Sequence, residues 1–361
     1  MKQLHVQGAP SFYICEEGAL DQLEALLSRY GFKKGVVIHG KESWRVAQPF
    51  FPKFQDIQLR FEHYRGECSD SETERVAQIC QTESAEFILG VGGGKVLDLA
   101  KAVANHIRIN AVLVPTLAST CAAWTSLSVI YSDSGEFVRL HVYPRTTLMV
   151  VIEPRIFLDS PINYLKAGIG DTLAKWYEAE VLTRNKKDLR VPVEIALKGA
   201  RLCKDLVLQN SAKAIASLEQ KKMSPELMSI IELNIMVAGM VGGFGDHYVR
   251  IAAAHSVHNG LTRLHETHHL LHGEKVAYGI LIQLALEGDW AEIDALMPLY
   301  KELQFPYSLA TLGIPDVSDE QLAIVAEGAL APDESIHFMD QKFTVVDLIQ
   351  AFRQLDERYA N

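Results

Sequence analysis

Short apolar runs with strand character alternate with helical patterns as far as Ile152, and no convincing strand follows. This switch is the strongest constraint on the fold. Parallel strands need a crossover between neighbours, so strands alternating with helices specify a parallel sheet in an α/β unit. The strand patterns are Gly35–His39, Leu59–His63, Phe87–Val91, Val112–Pro115 and Leu148–Ile152. A hairpin is predicted at Leu127–Tyr131 and Val138–Tyr143, around the turn Ser132-Asp-Ser-Gly135. Helices are predicted at Gly18–Tyr30, after a capping box Ser71-Glu-Thr-Glu74, and at Lys95–Asn105. Ser160-Pro161 reads as an N-cap followed by proline in the first helical position. Helical patterns then cover 161–184, 191–218, 224–241, 246–264 and 276–288. The reading is an α/β N-terminal domain with a parallel sheet, residues 1–158, and an all-α C-terminal domain, residues 159–361.

The length of 361 residues suits two packed domains. With 48% hydrophobic and 22% charged residues the composition is globular. A net charge of −10 argues against a nucleic-acid partner, whose phosphates need stripes of Lys and Arg. No apolar run reaches the ~18–20 residues of a membrane span, and the first residues lack the apolar region of a secretory signal. No membrane partner is therefore expected. The cysteines at 15, 68, 80, 121 and 203 form no CxxC pair, which predicts free thiols in a reducing cytoplasm.

Two constellations carry chemistry. Gly90-Val-Gly-Gly-Gly-Lys95 joins an apolar strand to a helix. Consecutive glycines let a backbone approach a ligand, and the amides of the next helix face an anion such as a pyrophosphate. The motif is neither a Walker A loop nor GxGxxG, and a plain tight turn is the alternative reading. Pro115-Thr-Leu-Ala-Ser-Thr120 brings hydroxyls to the neighbouring strand end.

The second constellation lies in a histidine-rich stretch: seven of the 13 histidines fall between His247 and His272. His255 and His258 share a helix face at i, i+3. Gly168-Ile-Gly-Asp171 brings a carboxylate to a helix, and His268-His269-Leu-Leu-His272-Gly-Glu274 follows further on. Taken singly, each histidine reads as structural or surface. Asp171, His255 and His272 together form a donor set suited to Zn²⁺, Fe²⁺ or Ni²⁺, with a position left open for substrate.

The GGGK turn, PTxAST, GxGDTLAKW, AAAHSVHNGL and HGEKVAYG stand in this order in the chain. In this the sequence resembles the iron-containing alcohol dehydrogenase superfamily, and within it the glycerol dehydrogenase branch. CAAWTSLSVIY, GIGDTLAKWYEAEVL and ESIHF resemble the hydroxycarboxylate dehydrogenases of that branch. The resemblance implies a dehydroquinate synthase-like fold, in which a Rossmann-like dinucleotide-binding domain meets a helical domain at a cleft. It implies metal ligands Asp171, His255 and His272. It further implies pyrophosphate contacts from Gly93, Gly94 and Lys95, and cofactor contacts from Asp98, Thr116, Ser119, Thr125, Leu127 and Tyr131. The activity implied is hydride transfer between a nicotinamide cofactor and a small-molecule alcohol or carbonyl substrate. Related enzymes imply a homo-oligomer, a dimer or an octamer.

Three departures from the family pattern sharpen this. Iron-type members carry a histidine four residues after the aspartate, where this chain has Lys175. The departure implies three protein ligands and zinc, with iron or nickel left open. Lys175 then either neutralises charge beside the metal or is a surface lysine. Glycerol dehydrogenases carry an aspartate on the adenosine ribose where this chain has Gly40, followed by Lys41. Gly40 and Lys41 therefore join the cofactor candidates, and NADP is expected to serve as well as NAD. Glycerol dehydrogenases read Ser-Thr-Asp where this chain reads Ser119-Thr120-Cys121. Losing that carboxylate removes a repulsion against an anionic substrate, with Trp124 narrowing the same loop. The expected substrates are 2-oxo acids and 2-hydroxy acids, with Cys121 among the catalytic candidates. The alternative is an NAD-dependent glycerol or polyol dehydrogenase. His258 is either a proton relay or a packing residue, and Glu274 is expected to orient His272.

Overall fold

Runs such as Phe87-Ile-Leu-Gly-Val-Gly92 are buried on both faces, as strands covered by helices on either side must be. The computed structural model describes residues 3–360. The strands are Phe12–Cys15 (β1), Lys34–His39 (β2), Gln58–His63 (β3), Phe87–Gly92 (β4), Asn110–Pro115 (β5), Leu127–Tyr131 (β6), Phe137–Val142 (β7) and Met149–Ile152 (β8). Six of them form one parallel sheet in the order β1-β8-β5-β4-β2-β3. β6 and β7 form a separate antiparallel hairpin.

Helices Leu23–Ser28 (α1), Lys41–Ala47 (α2), Asp70–Thr82 (α3) and Gly94–His106 (α4) accompany the sheet. From Ile162 on, the regular elements are helical: Ile162–Thr183 (α5), Val191–Glu219 (α6), Pro225–Glu232 (α7), a π turn Leu233–Val237, Ala238–Gly245 (α8), Ala253–Leu261 (α9), His272–Glu287 (α10), Trp290–Leu303 (α11), Asp319–Ala329 (α12) and Val345–Tyr359 (α13). The fold class read from the sequence, a Rossmann-like α/β part followed by helices, is the one observed.

Alternation along the strands sends side chains to two cores. Val37, Phe87, Leu89, Val112 and Val151 pack under α1 and the N-terminal turn. Ile38, Ile88, Leu113, Val150 and Ile152 share a second core with Ile169, Leu173 and Val276 of the helical part. That shared core fixes the strand ends against α5 and α10. β3 lies on one side of β2 and β4 on the other, so the chain direction reverses there. Ligands of open α/β sheets bind in the crevice at such a switch, beyond the carboxyl ends of the strands.

Several local readings differ. Helix α3 is capped by Ser69, whose hydroxyl accepts from Glu72 N at 3.2 Å, and Ser71 instead donates to Asp133. Pro161 is itself the N-cap of α5, which begins at Ile162. β1 escaped prediction because it is four half-buried residues at a sheet edge. Pro225–Tyr248 does average apolar enough, with mean hydropathy 1.7, to pass for a membrane span. Glu226, Glu232 and Asn234 interrupt its apolar run. It packs as a core helix, with 61% of that window buried in the fold.

Candidate metal and cofactor site

α5 presents Asp171, α9 presents His255, and His272 opens α10. The three elements meet through small residues. A Cβ on Gly170 would stand 2.4 Å from Gly273 O, and one on Gly273 would stand 1.7 Å from Ala167 O. Bulkier residues would push α10 off α5 and pull the donors apart. As it is, one ligand atom from each of Asp171, His255 and His272 lies within 4.8 Å of the others.

Hydrogen bonds on the far side of each ring aim a lone pair into this space. His255 Nδ1 donates to Glu178 Oε2 at 2.7 Å, leaving Nε2 toward Asp171 Oδ1 at 3.4 Å. Glu178 is fully buried and also accepts from the backbone amides of Ala252 and His255, at 2.7 and 3.0 Å. On the other histidine, Asn259 Nδ2 donates to Glu334, which turns the amide oxygen toward His258 Nδ1 at 2.9 Å. His258 Nδ1 therefore carries the proton, and its bare Nε2 accepts from His272 Nδ1 at 3.0 Å. His272 Nε2 is left free. A carboxylate and two imidazole nitrogens so oriented fit a first-row divalent cation with an open position.

The charges agree with this. Burial alone would raise Asp171, but the Lys175 ammonium and His255 hold it well below the usual carboxylate range. Burial would lower His255, yet the Glu178 carboxylate outweighs it and lifts the ring to about 9. Burial lowers His272 to about 4, so that ring is neutral at pH 7. A metal must displace the His255 proton. Metal affinity should therefore rise about tenfold per pH unit up to about 9 and then level off. Glu178→Gln removes the carboxylate that raises His255, so levelling should come at lower pH. Its plateau affinity should fall about 10–100-fold. Calorimetric metal titrations of both proteins across pH check this; a flat profile would remove His255 from the donor set.

Glu178 was not anticipated. It lies two helical turns beyond Asp171 on the same face of α5, and that i, i+7 spacing was the available signal. Glu274, expected to orient His272, caps α10 instead, accepting from Leu271 N at 2.7 Å. His258 stands in a hydrogen-bonded chain between Asn259 and His272, where it supports the His272 ring. His265, His268 and His269 stand apart from the donor cluster; the latter two bond backbone carbonyls. Lys175 is no surface residue: it is 6% exposed, and its Nζ donates to Asp171 Oδ1 at 2.8 Å.

The cofactor candidates gather at the carboxyl ends of β2, β4 and β5, where His39, Val91 and Val114 are in register. Gly93 caps α4. A Cβ on Gly92 would stand 2.7 Å from Val96, so this glycine lets α4 start tight against its strand. A Cβ on Gly94 would meet nothing nearer than 3.6 Å, so space remains over the helix amides. Thr116 is buried and donates its backbone amide to Gly92 O. Ser119, on the loop after β5, and Tyr131, at the end of β6, are both half-buried. Lys95 bonds Glu67 at 2.6 Å and covers the Tyr131 ring, so reaching a pyrophosphate requires leaving Glu67. Gly40 caps α2, with Lys41 exposed at its first position.

Asp98, on the first turns of α4, has partners within the protein. It is buried, accepts from Val129 N at 3.0 Å and pairs with Lys101 at 2.8 Å. Lys101 in turn donates to the carbonyls of Ala122, Thr125 and Leu127. This buried pair anchors the 121–127 loop and the hairpin root, so Thr125 and Leu127 are held by their own backbone. Cys121 lies on that loop within electrostatic reach of Lys175 and Asp171, and burial raises its thiol. Burial thus favours the uncharged thiol over the thiolate. Trp124 does not narrow the cleft. Its indole is buried against Gly239 and Tyr13 and donates to Gly8 O at 2.8 Å.

Residues 10–154 match the model of the iron-containing alcohol dehydrogenase family. The chain is 36% identical over 354 residues to hydroxycarboxylate dehydrogenase A of Escherichia coli, covering 98% of each. It is 38% identical to the glycerol dehydrogenase of Thermotoga maritima, covering 96% of this chain and 95% of that one. The crystal structure of glycerol dehydrogenase from Schizosaccharomyces pombe superposes with a TM-score of 0.88 at 31% identity. That match spans 99% of this chain and 91% of the other.

Proposed function

The chain belongs to the iron-containing alcohol dehydrogenase family and acts on CH–OH groups, and from that premise we propose that it interconverts small 2-hydroxy acids and 2-oxo acids with NAD(H) or NADP(H). The observation that carries the substrate reading is the charge of the site. Cys121 brings no charge, and Lys175 brings a buried ammonium beside Asp171. A substrate carboxylate entering there meets less repulsion than it would with an aspartate at 121.

Asp171, His255 and His272 would hold the divalent metal, with zinc favoured by the three-ligand set and iron or nickel as alternatives. When bound, the metal supplies Lewis acidity to the substrate oxygen and the nicotinamide supplies the redox chemistry. Glu178 and His258 keep the two imidazoles in register, and the helix amides at Gly94 and Lys95 would receive the pyrophosphate. Lys101 holds the loop that carries Cys121.

The test is a substrate panel. Oxidation of reduced cofactor with 2-oxobutanoate is expected to exceed that with dihydroxyacetone, and oxidation of glycerol is expected to be slow. The reverse ranking would favour the polyol reading, for which the named glycerol dehydrogenase relatives are the argument.

Gly40 and Lys41 support use of both cofactors, since no carboxylate at 40 repels a 2′-phosphate. NADPH should work within about a hundredfold of NADH in kcat/KM, and Gly40→Asp should depress NADPH selectively. An added Cβ at 40 would meet Ser43 at 3.2 Å and Tyr64 at 3.3 Å, a fit that a small movement of the half-buried Tyr64 ring accommodates. Equal loss with both cofactors would count against an NADP role for this corner.

A further inference from the structure

The long helical run from Pro225 is interrupted by the π turn Leu233–Val237. A π turn inserts an extra residue, has poorer hydrogen bonding than an α turn, and is frequent at functional sites. Here the turn carries Asn234, which is 1% exposed. Its Nδ2 donates to Ala118 O at 2.8 Å, and its Oδ1 accepts from Thr172 Oγ1 at 2.7 Å. Ala118 lies in the loop between Thr116 and Ser119 at the end of β5. Thr172 follows Asp171 on α5. One amide thus bridges the cofactor side of the cleft to the helix bearing the metal carboxylate.

The surroundings leave this bridge little play. A Cβ on Gly168 would stand 2.0 Å from Ala118 O and 2.4 Å from Asn234 Nδ2, so α5 touches the loop with its backbone. Both ends of the amide are buried, and breaking either bond would leave an unsatisfied buried polar group. Neither partner can drift without that penalty.

We propose that Asn234 is a positioning residue that fixes the separation between the 116–119 loop, a candidate cofactor contact, and the helix that carries Asp171. The proposal rests on the dehydrogenase reading above. Hydride transfer depends steeply on that separation, and a misplacement of about 1 Å can cost about a hundredfold in rate. The Asn234 amide adds two buried hydrogen bonds to the backbone contact of α5 with that loop.

The test uses the protein loaded with Mn²⁺ and NAD⁺. Paramagnetic relaxation of the nicotinamide protons reads the metal–nicotinamide distance without turnover. In Asn234→Leu, which removes both bonds, and in Thr172→Val, which removes one, relaxation should fall while bound Mn²⁺ and NAD⁺ stay stoichiometric. In the active enzyme kcat should fall up to about a hundredfold with KM for cofactor unchanged. The primary deuterium isotope effect from deuterated reduced cofactor should rise. Thr172→Val keeps the shape of the side chain and serves if Asn234→Leu fails to fold. Equal relaxation and an equal isotope effect in wild type and variants would overturn the proposal, even if the melting temperature fell. If the wild type showed no nicotinamide relaxation at all, the dehydrogenase reading would fall first and this inference with it.

Discussion

Asp171→Asn should empty the site of metal and lower turnover about a thousandfold, which corresponds to the several kcal/mol a Lewis acid contributes. Asp171 is the anionic member of the three-donor set, so its loss removes most of the attraction for a dication. It also leaves the Lys175 ammonium without its carboxylate partner, so a cation would meet a buried like charge. Metal content by plasma mass spectrometry and turnover, measured on the same sample, check this. Full metal occupancy with turnover within about tenfold of wild type would take Asp171 out of the ligand set. A melting curve separates this effect from unfolding, because α5 is packed along its length by Ile169 and Leu173 irrespective of position 171.

Cys121→Asp should cost about a hundredfold in kcat/KM on 2-oxobutanoate and leave glycerol oxidation unharmed or improved. Two like charges about 5 Å apart at an effective dielectric of about 20 repel by about 3 kcal/mol. That is about two powers of ten in an equilibrium or rate. Lys175→Met removes attraction where Cys121→Asp adds repulsion, so it should move the same ratio in the same direction. The ratio of the two substrates is the informative number, because damage to the fold lowers both together. A ratio unchanged in both variants would show that the charge at these positions does not select substrate.

The expected site was legible to different depths. The glycine turn and the strand ends around it were visible because a Gly-rich strand-to-helix junction is a local signal, and Gly92 and Gly94 do what such glycines do. The donor types were visible too, since few residues bind divalent metals. The i, i+3 pairing of Asp98 with Lys101 on α4 was available in the sequence, whereas the hairpin amide of Val129 that Asp98 also holds lies 31 residues away. Trp124 was misjudged because a large residue on a loop says nothing of which way it points. Lys175 had two open readings, and only burial at 6% exposure separates them.

The chain's own pattern determined the order of its elements, the point at which strands give way to helices, and the chemical classes of its site residues. Those follow from periodicity and side-chain type, which act over a few residues. Tertiary structure decided which of seven clustered histidines converge on Asp171. It recruited Glu178 across 77 residues to hold His255, and Asn234 across 116 residues to hold Ala118. Such pairs depend on how close helices approach, and that was set by small residues such as Gly168, Gly170 and Gly273, whose facing partners no local pattern reveals.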